Sequence, residues 1–347
     1  MIVFWILVII AFLTTHYVMP HSIRKLREAN YVVPDMYKIS KPKIPTNAGI
    51  IVLFISYISV SILPVLTRIL NLAGILNDNS SDLSETNLAF LLVISIFALY
   101  GLVDDLVDIG QKLKLIIPLT FSYPLLSIIN PSVFSVPFIK DIDLTIQFYD
   151  IITFGDLFRI FIIPIYVMVV ANLVNMHSGF NGLQSGLSII LLSTIIIKSW
   201  QEGILKNILP VGAFLGAMLA FWLFNKYPSK VFEGNIGSLL FGSIIGCILV
   251  IQEFWLFGIF ILFPHIINFF QWLYWLYLMH FSSDLYLNID GDYTKFGYLN
   301  DEGKLQVPNS LTLKWIPCKW YNYSEKESTI LMYCITLIFC VFGLIFF

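Results

Sequence analysis

Apolar residues gather along this chain in stretches long enough to cross a bilayer as helices, which takes about 17–25 residues each. Ten such stretches are legible: 2–19, 47–66, 86–103, 113–130, 157–174, 186–201, 207–224, 234–251, 254–278 and 328–347. The sixth is short and ends in Lys198 and Trp200. The first lacks a basic leader and a small-residue cleavage site, so it reads as a retained span rather than a signal peptide. Between the fourth and fifth stretches, Ile139, Ile142, Leu144, Ile146 and Phe148 alternate around Lys140, Asp141 and Asp143, the pattern of a short β-hairpin. The longest polar segment, 279–327, carries a turn at Asn300-Asp301-Glu302-Gly303 between tyrosine-rich, strand-like pieces. The expected fold is an all-α polytopic membrane protein, one domain over 1–347, with a small exterior hairpin and a larger cytoplasmic loop at 279–327.

Composition agrees. Of 347 residues, 58% are hydrophobic and 12% charged, with a mean hydropathy of +0.84. Soluble domains carry about 25% charged residues, so lipid must solvate much of this surface. The net charge of −2 gives no basic patch for nucleic acid. Cys247, Cys318, Cys334 and Cys340 form no CxxC pair, which argues against a disulfide framework or a zinc site. Ten spans divide the loops into two sets. All 20 Lys and Arg except Arg68, Lys140, Arg159, Lys198 and Lys206 fall in one set, so 15 lie in 20–46, 104–114, 175–185, 225–233 and 279–327. By the positive-inside rule this set is cytoplasmic and both termini lie outside.

The polar, chemistry-capable residues belong to the same set of loops. Gly101-Leu102-Val103-Asp104-Asp105-Leu106-Val107-Asp108 ends the third stretch. On a helix Asp105 and Asp108 are neighbours, as are Asp104 and Asp108. Carboxylates beside a membrane either serve Mg²⁺ and phosphate chemistry or simply solvate a helix end. Lys112 and Lys114 follow, as headgroup anchors or as partners of a lipid phosphate. Next come Asn172, Asn175, His177, Gly179 and the Asn181-Gly182 turn, whose exposed amides could cradle a phosphate or nucleotide. A lone interfacial histidine such as His177 is more often structural than a base. Tyr227 to Ser238 then opens the eighth stretch with glycines that permit either anion approach to a helix N-terminus or close helix packing.

These blocks resemble the polyprenyl-phosphate N-acetylhexosamine-1-phosphate transferase family (glycosyltransferase 4), most nearly its eukaryotic and archaeal branch. The likeness runs from about Asp35 to Pro308. It is carried by Val33-Pro34-Asp35-Met36-Tyr37-Lys38, Ile44-Pro45-Thr46-Asn47-Ala48-Gly49, Gly101 to Asp105, Asn172 to Met176 with Gly179 to Leu183, Tyr227 to Gly234, and Phe263 to Phe269. The resemblance implies ten helices, a cytoplasmic active site, Mg²⁺ (or Mn²⁺), and transfer of HexNAc-1-phosphate from a UDP-HexNAc to polyprenyl or dolichyl phosphate. That step begins lipid-linked glycan assembly. A homodimer is a further implication. By position, Asp104, Asp105 and Lys114 are the expected catalytic residues, and Asn175 and Asn235 the expected metal ligands. Met36, Asn172, Gly179, Asn181, Phe232, Glu233 and Lys295 form the expected substrate-binding set.

Two departures stand out. Asn235 occupies the place of a metal-binding aspartate. Lys295 is the one basic residue in Asp290 to Phe296, where the family carries a His/Arg cluster. Three rival readings make different demands on the sequence. A CDP-alcohol phosphotransferase would need more aspartates, and a transporter would place ionisable groups near mid-membrane. A degenerate homologue would bind nucleotide or lipid without turnover.

Overall fold

The computed structural model describes residues 2–75, 83–107, 109–136, 141–149, 152–281, 296–300 and 304–347. Asp108, Lys140, Lys295 and the turn residues Asp301 to Gly303 lie outside them, as does the side chain of Lys112. In chain order the helices are α1 (Ile2–Glu28), α2 (Gly49–Ser61), α3 (Leu63–Leu72), α4 (Glu85–Val107), α5 (Gln111–Ile116), α6 (Tyr123–Leu126), α7 (Phe154–Leu157) and α8 (Ile163–Met176). They continue with α9 (Leu183–Gln201), α10 (Val211–Asn225), α11 (Gly234–Ile251), α12 (Trp255–Ile261), α13 (Phe263–Phe281), α14 (Trp315–Tyr321) and α15 (Glu325–Phe346).

Among the described residues seven helices are long and apolar enough to cross a membrane, or eight if α12 and α13, bent by 66° at their junction, count as one span. Two of the ten expected spans are not helices of crossing length. The stretch 113–130 divides into short pieces, with Pro118 and Pro124 each opening one, because proline supplies no amide to extend the turn before it. The stretch 207–224 yields α10, 15 residues long, about 22 Å at 1.5 Å per residue against a hydrocarbon core of about 30 Å.

α11 is the central post. Every residue from Ile236 to Val250 is buried, and α2, α4, α8 and α9 pack around it. Lipid tails are as apolar as leucine, so close helix approach depends on small residues rather than on hydrophobic burial. α11 supplies them. A Cβ on Gly242 would lie 2.7 Å from the Ala171 backbone of α8, and Gly49 of α2 leaves no room for a Cβ beside Gly237. The packing reading of these glycines therefore holds. Outward faces stay apolar, as at Trp5, Ile9 and Leu13 of α1 and Ile338 and Ile345 of α15, which is what an integral membrane protein presents to lipid.

The described strands form four short antiparallel pairs. β1 (Val32–Pro34) pairs with β2 (Lys43–Pro45) between α1 and α2, with Val33 opposite Ile44. β3 (Val133–Phe134) pairs with β4 (Ile142–Asp143), and β5 (Gln147–Tyr149) with β6 (Ile152–Thr153), so the segment of alternating residues holds two pairs. β7 (Tyr298–Leu299) pairs with β8 (Leu305–Gln306) across the expected turn.

Candidate active site

The polar loops converge at one end of the bundle, and backbone bonds fasten them together. The Phe232 amide donates to the Pro45 carbonyl (2.8 Å), and the Ala48 and Gly49 amides donate to Phe232 and Glu233 carbonyls (3.1 and 2.9 Å). The β1–β2 hairpin is thereby joined to the loop that opens α11. Gly234 has φ of +72°, and a Cβ there would press on Asn47 and come within 3.0 Å of Asp105 Oδ2. Glycine thus supplies both the left-handed turn and the room for a carboxylate at the α11 N-terminus.

Asp105 uses that room. Its Oδ1 accepts the Asn235 amide (3.2 Å) and its Oδ2 the Ile236 amide (3.3 Å). A residue of α4 therefore caps another helix, where free amides and the helix dipole favour negative charge. Asp104, one residue earlier, is buried. It pairs with Lys114 Nζ at 2.9 Å and accepts the Ile109 amide and the Asn235 side-chain Nδ2, both at 2.9 Å. Asn235 thus meets the acidic pair through its nitrogen, which leaves its amide oxygen available.

A cavity of about 400 Å³ opens beside this cluster. Met36, Asp105, Gly179, Phe232, Glu233 and Asn235 line it, so six of the expected site residues share one wall-to-wall space. Glu233 is held by the Asn225 amide at 3.0 Å, and burial pushes its carboxyl up to about 7.

Other expected residues stand behind the walls. Asn181 is buried and does not line the cavity. Its Nδ2 donates to Asp35 (3.2 Å), its Oδ1 accepts the Ser229 amide (2.8 Å), and its backbone amide donates to Glu325 (2.6 Å). Its amide is consumed in joining four segments of chain. Asn172 back-bonds to the Met168 carbonyl on its own helix at 2.9 Å. The half-buried side chain of Asn175 has no hydrogen-bond partner among the described residues. His177 is buried against His265, ring centroids 4.6 Å apart. Burial holds its imidazole well below the ordinary range, with His265 and Lys314 adding to the effect. This matches the structural reading of His177.

Two residues outside the expected site set, Lys38 and Lys314, help to build the site. Lys38 bridges Asp35 (3.2 Å) and Glu325 behind the Met36 wall. Lys314 donates to the Ser178 carbonyl and lies over the Phe180 ring (5.2 Å), fixing the turn at Gly179. Their pairing joins residues up to 287 positions apart, so no local pattern announces it. Among the described residues no group of three His, Cys, Asp or Glu side chains is placed to hold a metal ion. The oxygen donors that line the cavity include the carboxylates of Asp105, with one backbone amide on each oxygen, and Glu233, and the amide oxygen of Asn235; Asn175 does not line it.

Residues 87–253, which carry the acidic pair, the amide loop and the α11 entry, match the family described as Glycosyl transferase family 4. A protein of Saccharolobus solfataricus is 29% identical over 97% of this chain and 93% of its own length. Nearly half of the chain, the part that carries the site, is thus similar to glycosyl transferase family 4. The Saccharolobus protein is provisionally named a UDP-N-acetylglucosamine–dolichyl-phosphate N-acetylglucosaminephosphotransferase. A protein of Sulfolobus acidocaldarius with the same provisional name is 27% identical, covering 98% of this chain and 94% of its own. The phospho-N-acetylmuramoyl-pentapeptide-transferase of Borreliella afzelii is 28% identical, covering 69% and 71%. The matched glycosyl transferase family 4 region omits the β1–β2 hairpin and the Lys314 segment, but the two archaeal relatives cover nearly the whole chain.

Proposed function

We propose that this protein transfers a HexNAc-1-phosphate, GlcNAc-1-phosphate first among them, from a UDP-sugar to a polyprenyl or dolichyl phosphate and releases UMP. The observation that carries the reading is the shared cavity. Met36, Gly179 and Phe232, the expected nucleotide contacts, line the same space as Asp105 and Asn235, in a chain whose relatives are named for this transfer. The cavity lies on the cytoplasmic side, as the 15-to-5 division of basic residues argues.

An oxygen of the lipid phosphate forms the new bond to the β-phosphorus, and the bond from β-phosphorus to the bridging oxygen breaks, with its electron pair leaving on UMP. A phosphate monoester has a second pKa near 6, so the nucleophile is already ionised at neutral pH. Positioning and charge neutralisation are then the protein's main tasks. Lys114, with Asp104 behind it at 2.9 Å, holds the lipid phosphate. Asp105, fixed by two backbone amides, orients the attacking group. Asp105, Asn235 and Asn175 suit Mg²⁺, which takes oxygen ligands and relies on one or two carboxylates plus substrate phosphates; Mn²⁺ fits the same donors. Bound there, the ion would supply positive charge to the pyrophosphate and the departing UMP.

The test is direct. Purified protein given polyprenyl phosphate, UDP-GlcNAc and Mg²⁺ should release UMP. No release with UDP-GlcNAc or any other UDP-HexNAc would sink the transferase reading and leave a binding homologue.

A further inference from the structure

We infer that Gln184, set by Ser238, is a substrate-binding residue that gives a hydrogen bond to a neutral acceptor oxygen of the UDP-sugar; this rests on the transferase reading above. Gln184 stands in the first turn of α9, lines the cavity, and is 2% exposed. Ser238 Oγ, on α11 and also lining the cavity, donates to its Oε1 at 2.9 Å. The other head atom, Nε2, is buried and has no hydrogen-bond partner among the described residues. Turning the amide over exchanges the two atoms and still leaves one without a bond, because among the described residues Ser238 is the single side chain that hydrogen-bonds to it. A buried donor left unpaired costs the fold more than a made hydrogen bond returns.

Nearby amides are already committed. Asn225 accepts from Ser185 and donates to Val231 and Glu233. Asn181 is spent on Asp35 and Ser229. The partner that completes Gln184 must therefore come from the cavity. The expected lipid-phosphate end, Lys114 and Asp104, does not line this space, whereas Met36, Gly179 and Phe232 do. That places the acceptor on the nucleotide sugar. An uncharged amide beside Glu233 suits an uncharged oxygen, a carbonyl or hydroxyl, rather than a phosphate.

A residue kept at the expense of stability for binding has a distinctive signature. Gln184→Met keeps the length of the side chain and removes the amide. Without ligand, this variant should melt no lower than wild type. Its KM for UDP-GlcNAc should rise about tenfold, the order expected for one lost hydrogen bond, with the KM for polyprenyl phosphate unchanged. Gln184→Met/Ser238→Ala, which also removes the hydroxyl left without an acceptor, serves if the single variant does not fold. Weaker calorimetric binding of both UMP and UDP-GlcNAc would place the acceptor on the nucleotide. Weaker binding of UDP-GlcNAc alone would place it on the sugar. A KM for UDP-GlcNAc within twofold of wild type, or an equal rise for the lipid, overturns the assignment while UMP release continues. If wild type releases no UMP at all, the transferase reading falls and this assignment falls with it.

Discussion

Lys38 is the cation of a buried cluster behind the cavity, and removing it tests whether that cluster holds the site together. Its side chain is 18% exposed and sits between Asp35 and Glu325, each 4% exposed. Among the described residues no other cation is in ion-pair contact with either carboxylate. Lys38→Met would leave two buried carboxylates without an ion-pair contact among the described residues, with Lys314 acting on Glu325 only at longer range. Removing one partner of a buried pair costs roughly 3–5 kcal/mol, a large share of a net stability of about 5–15 kcal/mol. At about 2–4 °C per kcal/mol, melting in detergent should fall by on the order of 10 °C. Lys38→Met/Glu325→Gln should recover much of the loss. It removes one surplus charge and keeps an oxygen to accept the Asn181 amide, now at 2.6 Å from Glu325 Oε1. Intrinsic fluorescence during a thermal ramp reads both variants against Lys38→Arg, which keeps the charge. A Lys38→Met melt within about 2 °C of wild type, or a double variant no better than the single, would refute the reasoning.

The remaining predictions concern the acidic pair and Lys314. Asp105→Asn keeps one acceptor for the α11 amides, so stability should fall by only about 1 kcal/mol, while UMP release falls by roughly two to three orders of magnitude; near-normal release would remove Asp105 from the mechanism. Asn235→Asp would set a carboxylate where Nδ2 now lies 2.9 Å from Asp104 Oδ2. The variant should melt on the order of 5 °C lower in chelator and recover with Mg²⁺; a melt indifferent to Mg²⁺ would take Asn235 out of the metal shell. Burial lowers the Lys314 ammonium from 10.5 to about 8. Between those values the unfolded chain keeps a proton that the folded chain has released, so stability rises with pH across that window, and the penalty is fully present below it. The melting difference between wild type and Lys314→Met should move in favour of wild type from pH 7.5 to 9.5, and a constant difference would show that Lys314 does not titrate in this way.

Sequence alone determined most of the spans, because crossing lipid demands long apolar runs that composition cannot conceal. It also located the acidic pair, the amide loop and the glycine-rich entry to α11, since each is a contiguous block. The stretches 113–130 and 207–224 do not form single helices of crossing length, because hydropathy registers apolar length but not the prolines that divide a helix or the 15-residue limit of α10. Tertiary structure decided which polar residues face the cavity. Asn181 and Asn235 are both amides in motif positions, yet Asn181 is spent on Asp35, Ser229 and Glu325, whereas Asn235 lines the cavity with its oxygen available. Gln184, Lys38 and Lys314 gain their roles from partners on distant segments. Hydrogen-bond partnership and burial are properties of the packed chain, and no local spacing encodes them.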